Sequence, residues 1–295
     1  MDNIIKLNRD LVSKQYKHSA YKSFNISDPK PRNIHKASVK DRLLHHAVHR
    51  RLYSYFDKKF IYDSYSCRVG KGQHKAVDRF RRFAWIVSKN HHRTVWVLKC
   101  DIRKFFASID HQTLKSILSK HLDPDTRWLL SQIINSFHTQ MSHGSFSNKG
   151  LPLGNLTSQL LVNIYMNEFD QFVKRGLKVK HYIRFADDFL VILNDKEELK
   201  NILFEMSRFL SKKLKLKLHP DKVFIKTFYS GVDFLGWVNF SDHRVVRTTT
   251  RKRIVKGIFK ENAKQESIAS YLGILEHGNA DKLKQELSRN NSSTH

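Results

Sequence analysis

Two carboxylates stand side by side where strand-forming residues would be expected. Asp187 and Asp188 interrupt an apolar run with Tyr182, Ile183 and Phe185 before them and Phe189, Leu190, Val191 and Ile192 after them. Aspartate is disfavoured in strands, so the pair reads as an acidic corner joining two strands of a hairpin. The plain alternative is an Asp-Asp turn dipeptide, which requires no chemistry. A third acid weighs against it. Asp101 closes another β-type run, Val95-Trp96-Val97-Leu98-Lys99-Cys100, and Ile102-Arg103-Lys104-Phe105-Phe106 come after it. Taken alone it marks a strand end; with the pair it completes a set of hard oxygen donors suited to Mg2+. Three such groups can hold two divalent ions about 3.5–4 Å apart, one activating an attacking hydroxyl and one stabilising a leaving pyrophosphate. The chemistry implied is nucleotidyl transfer.

Phe185-Ala186-Asp187-Asp188 resembles the aromatic-x-Asp-Asp hairpin of reverse transcriptases, and residues 101–106 resemble the strand that supplies their remaining metal ligand. Other blocks occur in the family's order: Pro31-Arg32-Asn33-Ile34-His35, Val39-Lys40-Asp41-Arg42, Ser64-Tyr65-Ser66-Cys67-Arg68-Val69-Gly70-Lys71-Gly72, Gly150-Leu151-Pro152-Leu153-Gly154, Leu218-His219-Pro220-Asp221-Lys222 and Phe234-Leu235-Gly236-Trp237. The resemblance spans residues 30–240. It implies an α+β, right-hand polymerase fold with fingers, an antiparallel-sheet palm and a short helical thumb, and an RNA-directed DNA polymerase activity. Asp101, Asp187, Asp188 and the backbone carbonyl of Ile102 would then hold two Mg2+ ions, with Mn2+ as a substitute.

The same resemblance assigns the substrate contacts. Arg32 falls where the family carries a triphosphate-binding arginine, with Lys30 beside it; a solvated basic face is the other reading of both. Phe106, next to Phe105, falls at the aromatic steric gate against a ribose 2′-hydroxyl, although a Phe-Phe pair is otherwise plain core. Leu153 and Gly154 would face the nascent base pair. Arg68, Lys71, Ser158, Gln159 and the turn Phe234-Leu235-Gly236 would line template and primer, against a tight turn at Gly70-Lys71-Gly72 and an ordinary core hairpin at 234–237. Lys222 matches the position proposed to protonate departing pyrophosphate; in a lysine-rich chain that match can be accidental.

One block departs from the common pattern, which has Gln before the glycine and Ser-Pro at its end; here Leu153 and Ser158-Gln159 stand instead. That variant resembles the reverse transcriptases of diversity-generating retroelements, whose cDNA synthesis is error-prone at template adenines. The partners this implies are dNTPs, a structured template RNA, its RNA/cDNA hybrid and a pentameric accessory variability protein. An accurate enzyme with a drifted loop, a reverse transcriptase of another bacterial lineage (retron, group II-like or abortive-infection type) and a non-catalytic RNA-binding palm protein are the alternatives.

The elements that must position these residues are legible in part. The 295 residues carry 40% hydrophobic and 12% aromatic residues, a globular composition, and 54 Lys and Arg against 27 Asp and Glu leave +27. A polyanionic partner is the simplest account of that charge. No apolar run reaches the ~20 residues of a membrane span and the N-terminus lacks a signal-peptide core, so no membrane association and a cytoplasmic location are expected. Cys67 and Cys100 are too isolated for a disulfide framework or a zinc site. Ser38-x-x-Asp41 reads as a capping box opening a helix striped with Leu43, Leu44, Ala47, Val48, Leu52, Tyr55 and Phe56. Further helical stripes lie at 76–87, 114–122, 160–172 and 199–210. The expected division is a lead-in at 1–30, fingers at 31–95, palm at 96–244 with finger elements around 111–155, a basic helical thumb at 245–289 and a disordered tail at 290–295. No room is expected for a ribonuclease H, maturase or endonuclease domain.

Overall fold

The computed structural model describes residues 2–27, 31–140, 146–258 and 265–280. In chain order these form α1 (Asp2–Val12), β1 (Lys22–Ile26), β2 (Arg32–Lys36), α2 (Val39–Asp57) and α3 (Gln73–Val87). Next come β3 (Trp96–Asp101), a single turn α4 (Phe105–Ser108), α5 (His111–Ser119), α6 (Pro124–Asn135) and the short strands β4 (Thr139–Gln140) and β5 (Phe146–Ser147). The helix α7 (Leu156–Gln171) leads to the hairpin β6 (Tyr182–Phe185) and β7 (Asp188–Leu193), then to α8 (Lys196–Leu214), a 3-10 turn (Pro220–Lys222) and β8 (Phe224–Thr227). A meander of β9 (Val232–Phe234), β10 (Trp237–Asn239) and β11 (Arg244–Val246) precedes α9 (Thr248–Ile258) and α10 (Gln265–Leu275).

The central sheet has the order β6-β7-β3-β8, every neighbouring pair antiparallel. Its middle strands read as unbroken apolar runs because both faces are covered. Successive side chains alternate between two cores. Leu98, Cys100, Phe189 and Val191 pack with α2, α5, α6, α7 and α8. Val97, Leu190 and Ile192 pack with Ala76, Val77, Phe80, Phe83 and Ala84 of α3 and with Phe234 and Trp237 of the meander. Each fully buried side chain of this size contributes roughly 1.5–3 kcal/mol, so the two cores fix the sheet's orientation as well as its stability. The helix α7 is buried nearly all round, from Thr157 to Asp170, and forms the pillar behind the sheet.

Three expectations change. The stripe on α2 is Leu44, His45, Val48, Leu52 and Phe56, whereas Leu43 and Tyr55 face outward. The helix is rotated because its buried face carries a polar network. Asp41, wholly buried, accepts from the Tyr16 hydroxyl at 2.7 Å, the Ser38 hydroxyl at 2.6 Å and the Ser19 amide at 3.1 Å. Ser38 caps the helix through the Asp41 amide and donates its hydroxyl back to the Asp41 carboxylate, which at the same time ties down the N-terminal segment through Tyr16 and Ser19. Secondly, β1 and β2 pair antiparallel along their whole length, so the expected boundary at residue 30 falls between two paired strands. Finally, the chain past Arg244 is not yet helical, because β11 pairs with β10 before α9 begins. α9 and α10 share a small core of Ile254, Ile258 and Leu275. Lys30, residues 281–289 of the expected thumb and the tail at 290–295 lie outside the described residues. Among the described residues no helix is long and apolar enough to cross a membrane.

Candidate active site

The acidic corner is built by strand register. β6 and β7 pair Phe185 with Asp188, leaving Ala186 and Asp187 as a two-residue turn. Ala186 has φ +55°, the left-handed region that such turns demand and that a residue with a Cβ enters at a cost of about 1–3 kcal/mol. β3 pairs with β7 so that Asp101 lies directly opposite Asp188. Cross-strand partners share one face of a sheet, so the two carboxylates leave on the same side. The Ile102 amide donates to the Asp187 carbonyl at 3.2 Å and fastens the turn to the end of β3.

Like charges gathered at a half-buried corner shift one another. The Asp188 carboxyl is pushed up to about 7, first by burial and then by Asp187 and Asp101, against the pull of Lys99 at 3.1 Å. Asp187 is also raised, by burial and by the charge of Asp101, while Lys222 and Arg32 temper it. Lys222 reaches both oxygens of Asp101 at 3.1 Å. Asp188 Oδ1 is buried with no hydrogen-bond partner. Among the described residues no group of three or more His, Cys, Asp or Glu side chains converges as a metal cage. The donor chemistry nevertheless suits hard cations: mutually repelling carboxylates, an orphaned oxygen, and two lysine ammoniums already drawn to Asp101 and Asp188.

The remaining sequence-predicted residues are placed unevenly. Arg32 opens β2 and acts on Asp187 through its charge. β2 is joined to the 153–155 loop, since the His35 amide donates to the Leu153 carbonyl at 2.9 Å and the Asn155 amide group donates to the His35 carbonyl at 2.8 Å. Gly154 has φ +97°, and a Cβ there would sit 2.7 Å from Ile34 Cγ2. Phe105 is buried in the core, whereas Phe106 is half-buried and its carbonyl accepts from the Leu151 amide at 2.9 Å. Ser158 is buried within α7 and Gln159 is half-buried. Phe234 is fully buried; Leu235 and Gly236, both with positive φ, form the β9–β10 turn, held by the Gln73 side chain on the Leu235 carbonyl at 2.7 Å. Lys71 donates to the Tyr62 carbonyl at 2.8 Å and lies over its ring. Arg68 departs from its expected template contact. Its guanidinium is engaged inside the protein by Asp57 Oδ1, the Asp57 carbonyl and the carbonyls of Ile61 and Ser64.

Two residues at the corner were not foreseen. Lys99 stands two positions before Asp101, hence on the same face, and pairs with Asp188. Arg184 is fully buried on Asp170 beneath the turn. The available signal was the same for both: a cation inside an apolar strand run needs an anion nearby.

The family profile for reverse transcriptase (RNA-dependent DNA polymerase) matches residues 22–239. The chain belongs to the reverse transcriptases. This reverse transcriptase is 26% identical to Protein YkfC of Escherichia coli (strain K12) over 275 residues, which cover 81% of this chain and 70% of that protein. It is 24% identical to the group II intron-encoded protein LtrA of Lactococcus lactis subsp. cremoris over 276 residues, covering 72% of this chain and 44% of LtrA. Its fold is similar to apo telomerase from Candida tropicalis, with a TM-score of 0.58, 13% identity and coverage of 83% of this chain and 53% of that one. Telomerase from the same organism in complex with a TWJ fragment of telomeric RNA gives 0.59 at 11% identity over 97% and 58%. The shared fold is the right-hand polymerase expected from the sequence. The reverse transcriptase spans less than half of LtrA and little more than half of each telomerase chain.

Proposed function

We propose that this reverse transcriptase copies an RNA template into DNA by attack of a primer 3′-hydroxyl on the α-phosphate of a dNTP, the new P–O bond forming as the bond to pyrophosphate breaks. The observation that carries this reading is the register pairing of Asp101 with Asp188, with Asp187 in the adjoining turn. Asp101, Asp187 and Asp188, with the Ile102 carbonyl, would hold two Mg2+ ions or Mn2+ in their place. When bound, those ions supply activation of the hydroxyl and charge stabilisation at the leaving group. Arg32 grips the triphosphate from β2, and Phe106 limits room for a 2′-hydroxyl. Lys222, bound to Asp101 at 3.1 Å, would protonate the departing pyrophosphate. The 153–154 loop contacts the nascent pair, while Gln159, Lys71 and the Leu235-Gly236 turn contact template and primer. The β1–β2 hairpin with α2 and α3 serves as fingers, the chain from β3 through β11 as palm, and α9 with α10 as thumb; the small core shared by α9 and α10 supports the last.

Within this activity we assign the chain to the diversity-generating retroelement type. Leu153 in place of a hydrogen-bonding side chain loosens control of the nascent pair, giving errors at template adenines, with a pentameric accessory protein as partner. The identities to YkfC and LtrA favour a second reading, a group II-like enzyme of ordinary accuracy. Sequencing cDNA made on an adenine-containing RNA separates them: errors concentrated at adenines support the first, and evenly spread errors the second. The activity itself is tested with Asp187→Ala and Asp188→Ala. Both should abolish Mg2+-dependent primer extension and leave RNA affinity nearly unchanged; extension surviving in both would refute the assignment.

A further inference from the structure

Arg184 is a buried cation three residues before Asp187, on the strand that feeds the turn. All five of its N–H groups have acceptors. Nε donates to Asp170 Oδ1 at 2.8 Å, and Nη2 to Asp170 Oδ2 at 2.7 Å and Ser64 Oγ at 3.1 Å. Nη1 donates to Asn163 Oδ1 at 3.3 Å and to the Ala186 carbonyl at 3.1 Å. Asp170 is kept in place by the Tyr182 hydroxyl at 2.7 Å. The Arg184 backbone is gripped as well: its amide donates to the Asp63 carbonyl at 3.0 Å and its carbonyl accepts from the Tyr65 amide at 2.9 Å.

A buried ion pair is a weak stability device, since desolvation consumes most of its Coulomb gain and an apolar pair often does as well. What this pair does that an apolar pair cannot is hold the Ala186 carbonyl. The peptide unit is planar, so fixing that carbonyl fixes the plane entering Asp187, and the Ile102 amide on the Asp187 carbonyl at 3.2 Å fixes the plane leaving it; together they set the direction from which the Asp187 side chain departs. Ala186 also sits at positive φ, a conformation that needs an external restraint to persist.

We propose that Arg184, anchored by Asp170, is a positioning residue that sets the orientation of Asp187 and couples it to the 63–65 segment. The proposal rests on the polymerase reading of the acidic corner. Lysine has three donors on a tetrahedral nitrogen and cannot reproduce a fork that spans Asp170, Ser64, Asn163 and the turn. The test uses the full chain and two variants: Arg184→Lys, and Arg184→Met combined with Asp170→Asn, which removes both charges and keeps an acceptor for Tyr182. Circular dichroism melts establish which variants fold. In a folded variant, kcat for single-nucleotide extension should fall about 100-fold with the dNTP KM changed less than about threefold. Mn2+ binding, measured by electron paramagnetic resonance without primer or dNTP, should weaken about tenfold. The proposal is overturned if a folded variant keeps kcat and Mn2+ affinity within about twofold of wild type, or if kcat falls while Mn2+ affinity does not move. It is equally overturned if neither variant folds, since the pair would then be structural. Wild-type protein that fails to extend a primer counts against the polymerase reading; the Mn2+ comparison still decides the role of Arg184.

Discussion

At the scale of single residues, the site depends on a few positions where the backbone is held in conformations that most side chains avoid. Gly154 is one of them. Its positive φ and the closeness of Ile34 leave no room for a Cβ, and the loop it serves is bonded to the strand bearing Arg32. Gly154→Ala should therefore cost about 1–3 kcal/mol, read as a lowered midpoint in denaturant unfolding, and should raise the KM for dNTP by moving β2. A variant with unchanged midpoint and KM would show that the loop tolerates the methyl group. The acids themselves were readable as residues, because two carboxylates in an apolar strand run have few structural uses. Lys99 and Arg184 were not, since a cation in a strand announces that it needs a partner without saying which.

Among elements, α3 and the N-terminal network carry the support. Phe80 is fully buried, and its ring meets Phe228 and Phe234 edge-on at 5.3 and 5.8 Å, which joins α3 to the meander on one face of the sheet. Phe80→Ala should destabilise by about 3–5 kcal/mol in denaturant unfolding, as for other large-to-small core changes. On the opposite side, His45 of α2 is hydrogen-bonded to Thr157 at the start of α7 and to His18. Burial, reinforced by His18 and opposed by Asp41, lowers the His45 pKa to about 4 from 6.5. The folded pKa is depressed, so its contribution is fully present above 6.5 and is lost as pH falls towards 4. Asp41, held low by the hydrogen bonds from Ser38 and Tyr16 despite its burial, loses stability in the same direction but only at more acid pH, below the ordinary carboxylate value of 3.8. Asp188, raised to about 7, acts in the opposite sense over the same window, so the difference between two proteins is the test: the stability lost between pH 6.5 and 4 in thermal unfolding should be smaller in His45→Gln than in the wild type, and identical slopes would exclude His45 as a source.

For the whole molecule, a charge of +27 on 295 residues is a cost in the compact state that the proposed RNA template would relieve. RNA affinity should fall steeply with salt, with a logarithmic slope of roughly −0.7 per phosphate contacted on single strands. A filter-binding series from 50 to 200 mM salt should show a slope corresponding to about six or more contacts, and a slope near zero would remove nucleic acid as the reason for the charge.

The sequence by itself determined local features: that the runs at 96–100, 182–185 and 189–192 are strands, that Ser38 opens a helix as its cap, and that the carboxylates at 101, 187 and 188 are out of place in their strands. Capping and periodicity are written within a few residues of one another, so one chain segment suffices to read them. Only the tertiary structure decided that Asp101 faces Asp188, that Arg68 turns inward to Asp57 and that Arg184 holds the turn from below. Each of those facts depends on strand register or on the meeting of side chains distant in sequence, and it is settled by how two cores pack on opposite faces of one sheet.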